Sequence, residues 1–300
     1  MPHYNSYRSY IKKRFGVPVL TIPLNAGFSC PNRDGTLSSA GCAFCDNASF
    51  SPVAHSQASA LDQLRNSMQH ARRFAKFIAY LQSFSNTYGS IDAIKTIYEP
   101  LIAESGVVGL AVGTRPDCFT DEIYDYLALV NQRTYLNMEI GLQSATDAVL
   151  LRVNRGHTVL AFEQCVNNLY SRKISCTAHI MLGLPGETHA SMIETAKLCA
   201  RLPISGIKIH QLMIIKGTLL AAQYAARLIT VFTIEDYAAV LGEFLQHLRP
   251  DQYIHRIMAD SKPEHGLIAP LWSGSKMASL ERINCYLDEE GIGQGDLFSP

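Results

Sequence analysis

Several features that would assign a chain quickly are missing from this one. Lys+Arg and Asp+Glu are equal at 26 each, so the 300 residues carry a formal net charge of zero. That balance removes any global electrostatic pull toward nucleic acid. One local basic group remains, Arg72, Arg73 and Lys76, and it reads as a solvated helix face. No apolar run has the length of a membrane span. The segment from Met1 to Phe15 is polar and basic, without the apolar stretch of a signal peptide. A cytoplasmic protein with no membrane partner is expected. There is no internal repeat, no low-complexity tract, no clear linker and no glycine-rich methyltransferase motif. Trp272 is the only tryptophan, and Cys42-Ala-Phe-Cys45 is the only C-x2-C pair.

What the chain does have is that pair preceded by a third cysteine. Cys30, Cys42 and Cys45 are spaced C-x11-C-x2-C in a loop rich in Gly, Ser, Asn and Asp. Three thiolates can hold three irons of a [4Fe–4S] cluster and leave the fourth iron open to a substrate or cofactor, whereas four cysteines usually serve electron transfer. A structural zinc site is the alternative. It wants four closed ligands, and the fourth would have to be His55 or Cys118, neither at zinc-knuckle spacing. A disulfide suits neither the compartment nor the absence of a leader. The other five cysteines (Cys118, Cys165, Cys176, Cys199 and Cys285) are scattered and read mostly as small buried residues.

An apolar content of 47% supports a sizeable core. Strand-like runs at 17–24, 78–84, 107–114, 135–143, 175–183 and 206–215 alternate with helical patterns at 58–77, 91–104, 121–130, 145–153, 159–170 and 187–201. Alternation of this kind is the signature of an α/β fold with a parallel sheet. Six such units predict a partial (β/α)6 TIM-like barrel over residues 17–215. An N-terminal extension (1–16) precedes it, and a C-terminal α/β extension (216–300) packs on it. In the extension, 233–248 and 276–288 read as helices and 252–258 as another strand. Active sites in such barrels lie at the C-terminal ends of the strands. The cysteine loop follows the first strand and lies at that end.

The cysteines, with Glu139-Ile-Gly-Leu-Gln143-Ser, Asn154-Arg155-Gly-His157 and His179-Ile-Met-Leu-Gly-Leu-Pro-Gly186, make the chain resemble the radical S-adenosylmethionine (SAM) enzymes. It resembles the branch of the Elongator catalytic subunit and oxygen-independent coproporphyrinogen oxidase. The long first cysteine gap, Tyr10-Ile-Lys-Lys-Arg-Phe-Gly16, the run Gln82 to Tyr88, and Ile207-Lys-Ile-His210 are similar to a narrower bacterial group, the YhcC/YtqA-like proteins. The resemblance implies a [4Fe–4S] cluster on Cys30, Cys42 and Cys45, and SAM as cofactor. Reductive cleavage of SAM to a 5′-deoxyadenosyl radical is the implied chemistry, while the protein binds, orients and excludes water.

By the same resemblance Gln143 hydrogen-bonds the ribose or methionine part of SAM, and Arg155 takes its carboxylate through a guanidinium fork. Glu139 shares a sheet face with Gln143 and is either a SAM contact or a structural ion pair inside the barrel. His179 stands where some relatives hold the ribose with an aspartate. His157 is either a turn-stabilising or a functional histidine. The Gly-Gly-Glu that usually takes the SAM amine is absent from the second strand. Backbone carbonyls or Ser83, Ser85 and Asn86 are the substitutes on offer.

Lys208 and His210 alternate on the sixth strand and face either the pocket or the helix layer. His255-Arg256 reads as an anion site or as a solvated strand edge, and Trp272 as a stacking or a packing residue. The expected function is radical SAM modification of a tRNA wobble uridine, with a flavodoxin- or ferredoxin-type electron donor. A radical SAM enzyme on a small molecule or peptide is the first alternative. A non-catalytic iron–sulfur protein, needing a fourth cysteine such as Cys118, is the second.

Overall fold

A computed structural model describes residues 3–46, 53 and 56–299. The chain begins with α1 (Tyr7–Phe15) and β1 (Val19–Leu24), followed by the cysteine loop and α2 (Ala60–His70). Then come β2 (Lys76–Leu81), α3 (Ile91–Ala103), β3 (Val107–Thr114), α4 (Asp121–Arg133) and β4 (Tyr135–Gln143). Two helices, α5 (Asp147–Arg152) and α6 (Val159–Ser171), lead to β5 (Ser175–Leu182), α7 (His189–Arg201) and β6 (Gly206–Gln211). The remainder supplies β7 (Ile214–Ile215), α8 (Leu219–Ala225), α9 (Ile234–Gln246), β8 (Tyr253–Arg256), β9 (Leu267–Ala269) and α10 (Lys276–Glu289).

Local chemistry explains the alternation. The strands are short and buried almost throughout on both faces, as a parallel sheet under helices requires. Most helices start at a Ser or Thr whose side chain accepts from a first-turn amide. Ser59, Ser90, Thr120, Thr158, Thr188 and Thr233 all do this, and Thr188 completes a reciprocal cap with Ser191.

Among the described residues seven strands form one parallel sheet in the order β1-β2-β3-β4-β5-β6-β8. It curls enough for Lys208 on β6 to donate to Tyr80 Oη on β2 at 2.9 Å across the interior. The α/β partial barrel anticipated from the sequence is therefore present. Its seventh strand, β8, comes from the C-terminal extension. The same extension sends Tyr237, Leu241 and Phe244 of α9 and Ile283 and Leu287 of α10 into the main core. Helix α1 touches both edge strands, β1 and β8, and packs Ile11, Tyr7 and Tyr10 against the start of the barrel. No described helix is long and apolar enough to cross a membrane.

Three boundaries differ from the sequence reading. The second helix ends at His70 rather than 77, because a turn (Phe74 N–H to Ala71 C=O, 2.9 Å) intervenes and Lys76 and Phe77 pair with Val19 and Leu20. The second strand stops at Leu81, since Phe84 takes φ 63° in the turn that follows. The sixth strand breaks after Gln211, and Ile214–Ile215 turns away to pair antiparallel with β9. Helix α1 and helix α8 are additions the sequence pattern did not display.

Candidate active site

The cysteine loop is held from three sides. Ala43 N–H donates to Val153 C=O at 2.9 Å, and Leu220 N–H donates to Ala43 C=O at 3.1 Å. Asn154 donates to Gly41 C=O at 2.7 Å. Phe44, Val149, Val153, Leu184 and Leu220 form a small apolar core beneath it. So pinned, Cys30, Cys42 and Cys45 line one cavity of about 170 Å³ at the C-terminal ends of the strands. Cys30 lies before the tight turn in which Arg33 N–H returns to Cys30 C=O at 2.8 Å.

Donors surround the sulfurs. Asn32 Nδ2 is 3.4 Å and Arg155 Nη1 3.5 Å from Cys42 Sγ. Arg155 Nη2 also donates to Gly141 C=O at 3.0 Å, and His157 Nε2 lies 2.9 Å from the same oxygen. Gly141 leaves room for this. A Cβ there would stand 2.4 Å from Arg155 Nη2 and 2.7 Å from Gln143 Nε2. Gln143 itself takes φ 76° where the β4–β5 register shifts, a conformation that costs a non-glycine residue about 1 kcal/mol or more and aims its side chain into the cavity. Arg115, which the sequence reading did not single out, also lines the cavity. It is 2% exposed, forks onto Asp117 at 2.7 and 2.9 Å, and supports Arg155 C=O at 2.6 Å.

Deeper in the barrel the side chains from β2, β4, β5, β6 and β8 meet. Glu139 Oε2 accepts from Lys208 Nζ and from His179 Nε2, both at 2.7 Å. Burial alone would raise the Glu139 carboxyl, but Lys208, His179 and His255 together hold it well below the usual range. Burial and Lys208 push His179 down to about 4, so its ring is neutral and donates to Glu139 as a hydrogen bond. Burial pushes Lys208 down to about 8, against the pull of Glu139.

A bulge between β6 and β8 pairs Ile207 with Ile254 but Lys208 with Arg256. The consecutive His255 and Arg256 therefore both serve the interior. His255 stacks on Tyr7 (3.8 Å between centroids), hydrogen-bonds Thr177 at 3.0 Å and stands 3.7 Å from Glu139. Arg256 hydrogen-bonds His210 Nε2 at 2.6 Å. A second cavity of about 150 Å³, bounded by Lys208, His210, Arg256 and Tyr80, shares Cys45, Gln143 and His179 with the first.

The structure thus brings Cys30, Cys42, Cys45, Gln143, Arg155, Glu139 and His179 to one cavity. Glu139 is an interior ion pair, the second of its two readings, and it also lines the cavity. Lys208 and His210 face the interior, and His255-Arg256 is not a solvated edge, because the bulge turns both inward. In place of Gly-Gly-Glu, the turn after β2 presents Gln82, Phe84 and Ser85 to the cavity. Asn86 does not take part. It is not on the cavity wall, and its Nδ2 donates to three carbonyls (Leu81, Ser83 and Gly113, 2.8–3.1 Å) that hold the turn. Cys118 is buried behind Asp117 and is not on the cavity wall, and His55 lies outside the described residues. Trp272 packs on Tyr237 and donates to Phe232 C=O at 3.0 Å, which is a packing role. Arg72 and Arg73 sit in the turn before β2, at the end of the sheet opposite the cysteines.

The donor set fits an iron–sulfur cluster with SAM beside it. Three thiols face one cavity, and burial pushes the Cys45 thiol up to about 11, so a thiolate there needs a cationic partner. Arg155 Nε and Asn32 Oδ1 are buried without hydrogen-bond partners next to the sulfurs, as groups awaiting a ligand would be. Among the described residues no three His, Cys, Asp or Glu side chains close around a single ion. A cluster of several irons spreads its ligands more widely than one ion does.

Comparison with known proteins places this site in a family. Residues 30–199 match the Radical SAM superfamily and residues 204–289 the Radical_SAM C-terminal domain. YtqA of Bacillus subtilis is 36% identical over 299 residues, covering 98% of this chain and 92% of that protein. YhcC of Escherichia coli is 33% identical over 297 residues, covering 99% of this chain and 96% of that protein. A shorter match, 26% identical over 157 residues, covers 50% of this chain and 36% of the tRNA-2-methylthio-N(6)-dimethylallyladenosine synthase of Fusobacterium nucleatum. The fold superposes on archaeal Elp3 of Methanocaldococcus infernus with a TM-score of 0.68 at 14% identity, over 92% of this chain and 64% of that one. The chain belongs to the radical SAM superfamily of enzymes.

Proposed function

We propose that this chain modifies a wobble uridine of tRNA by radical SAM chemistry. The observation that carries the chemistry is the convergence of the three thiols with Gln143 and Arg155 on one cavity above a buried polar interior. Cys30, Cys42 and Cys45 hold the [4Fe–4S] cluster. Bound there, cluster and SAM supply a 5′-deoxyadenosyl radical that removes hydrogen from a substrate carbon. Arg155 orients the SAM carboxylate, already fixed by Gly141 C=O, and Gln143 reaches the ribose or methionine part. Glu139 and His179 keep the wall beside them polar and fixed in geometry. The electron comes from a flavodoxin- or ferredoxin-type donor.

The tRNA substrate is supported by two partial relatives, a tRNA-2-methylthio-N(6)-dimethylallyladenosine synthase and a threonylcarbamoyladenosine tRNA methylthiotransferase. A small-molecule or peptide substrate is the second reading. It is favoured by the modest size of the inner cavity and by the position of Arg72 and Arg73 at the far end of the sheet. The deciding measurement is mass spectrometry of the nucleosides of total tRNA, with and without the gene. Loss of one modified uridine with accumulation of its precursor is expected. An unchanged nucleoside profile in cells that express the protein transfers the reading to the small substrate.

A further inference from the structure

The inner cavity has a charge balance of its own. Two cations line it, Lys208, which is buried, and Arg256, which is partly exposed, and one carboxylate, Glu139, stands beside it. Glu139 is committed to Lys208 at 2.7 Å. Arg256 has no carboxylate within ion-pair distance among the described residues, and its hydrogen bonds go to the ring of His210. A ring nitrogen that accepts from a guanidinium stays neutral, and burial beside Arg256 does hold His210 well below its ordinary range. Asp260, the next acid along the chain, is spent on Lys276 at 2.7 Å. Glu139 and Asp260 act on Arg256 only at longer range, so one positive charge is left without a direct carboxylate partner in a site partly screened from water, where an incoming anion is held more strongly than at the surface.

Size and position narrow the anion. A cavity of about 150 Å³ holds a molecule of about benzene's bulk. A single excess positive charge matches a monoanion, and a guanidinium fork matches a planar carboxylate. Met181 and Met213 line the same cavity and suit a short carbon skeleton. The two cavities are neighbours with Cys45, Gln143 and His179 common to both walls, so an anion held at Arg256 lies next to the cavity of the thiols.

We propose that Arg256, positioned by His210, with Lys208 beside it, forms a subsite for a small monocarboxylate that enters the reaction as a substrate or as part of one. This rests on the radical SAM reading of the adjoining cavity. It adds the substrate class at the inner end.

The test is calorimetric titration of the anaerobically reconstituted protein, with SAM present, using sodium acetate and inorganic phosphate as probes at constant ionic strength. Saturable acetate binding is expected, tighter than that of phosphate. Arg256→Gln should weaken it at least tenfold. Arg256→Lys, which keeps the charge and loses the fork, should weaken it less and guards against misfolding of the first variant. Absence of saturable acetate binding overturns the proposal. So does binding unchanged in both variants, or phosphate binding more tightly than acetate. Cleavage of SAM to 5′-deoxyadenosine by the wild-type protein under dithionite is measured in parallel. Cleavage without acetate binding removes the carboxylate subsite alone, whereas no cleavage by a cluster-loaded protein removes the radical reading itself.

Discussion

The mouth of the barrel and its interior are built on opposite plans. At the mouth, loops carry the chemistry, Gln143 and Phe84 sit at positive φ, and polar atoms of Arg155 and Asn32 lack partners. In the interior, strands carry the chemistry, and Glu139, Lys208, His179 and Tyr80 are joined by hydrogen bonds of 2.7–2.9 Å. Two carboxylates show the contrast. Glu187, in the turn after β5, accepts Gly183 and Leu184 N–H at 3.0 and 2.9 Å but has no cation, and burial pushes its pKa up to about 7. Glu139 is more deeply buried and yet stays ionised, because Lys208 stands against it. Next to the thiols, the unpartnered atoms of Arg155 and Asn32 mark room for a ligand, and the ion-paired Glu139 and Lys208 form the frame behind it.

Substitutions at the two levels should therefore fail differently. Cys42→Ala should abolish the iron–sulfur absorbance of the reconstituted protein and its reductive SAM cleavage, while shifting the stability of the unloaded chain by only about 1 kcal/mol. Retention of both absorbance and cleavage would remove Cys42 from the site. Glu139→Gln should cost about 3–5 kcal/mol in urea unfolding, because it strands Lys208 in the interior. A cost below about 1 kcal/mol would mean that the interior tolerates an unpaired cation, and the comparison would collapse.

The smallest effect concerns pH. The folded pKa of Glu187, about 7, lies above its ordinary 4.5, so its stabilising contribution is complete below about 4.5 and is lost as pH rises through 7. Glu187→Gln should abolish that loss, gaining roughly a few degrees in Tm over wild type between pH 5 and 8. Glu139 has the opposite sign. Its folded pKa is depressed, so its contribution is present above 4.5 and is lost on acidification through the lower folded value. A Tm difference for Glu187→Gln that is flat with pH would contradict the assignment of an ionisable group without a cation there.

The mouth was largely legible in the sequence. Cysteine spacing and short runs such as Glu139 to Ser144 are local features, and the folded chain places Gln143 and Arg155 beside the thiols they were associated with. The interior was not. Arg115 belongs to the cavity because its fork onto Asp117 and its bond to Arg155 C=O hold it there, and its neighbours in sequence carry no signal of that. His255-Arg256 reads in sequence as an anion site or a solvated edge, because strict alternation would put consecutive residues on opposite faces and cannot send both inward. A one-residue bulge against β6 overrides that rule. The overlong helix at 58–77 failed for a related reason, since its last residues are claimed by pairing with β1.

By itself the sequence determined the alternation of strands and helices, the cysteine set and the end of the barrel that carries it. These follow from hydrophobic period, capping residues and spacing, all properties of neighbouring residues. Tertiary structure alone decided that β8 joins the sheet, that Lys208 finds Glu139 across two strand positions, and that Arg256 bonds the ring of His210 rather than a carboxylate. Those outcomes depend on register and curvature, which bring together groups 40 to 128 residues apart, and no local pattern records such a distance.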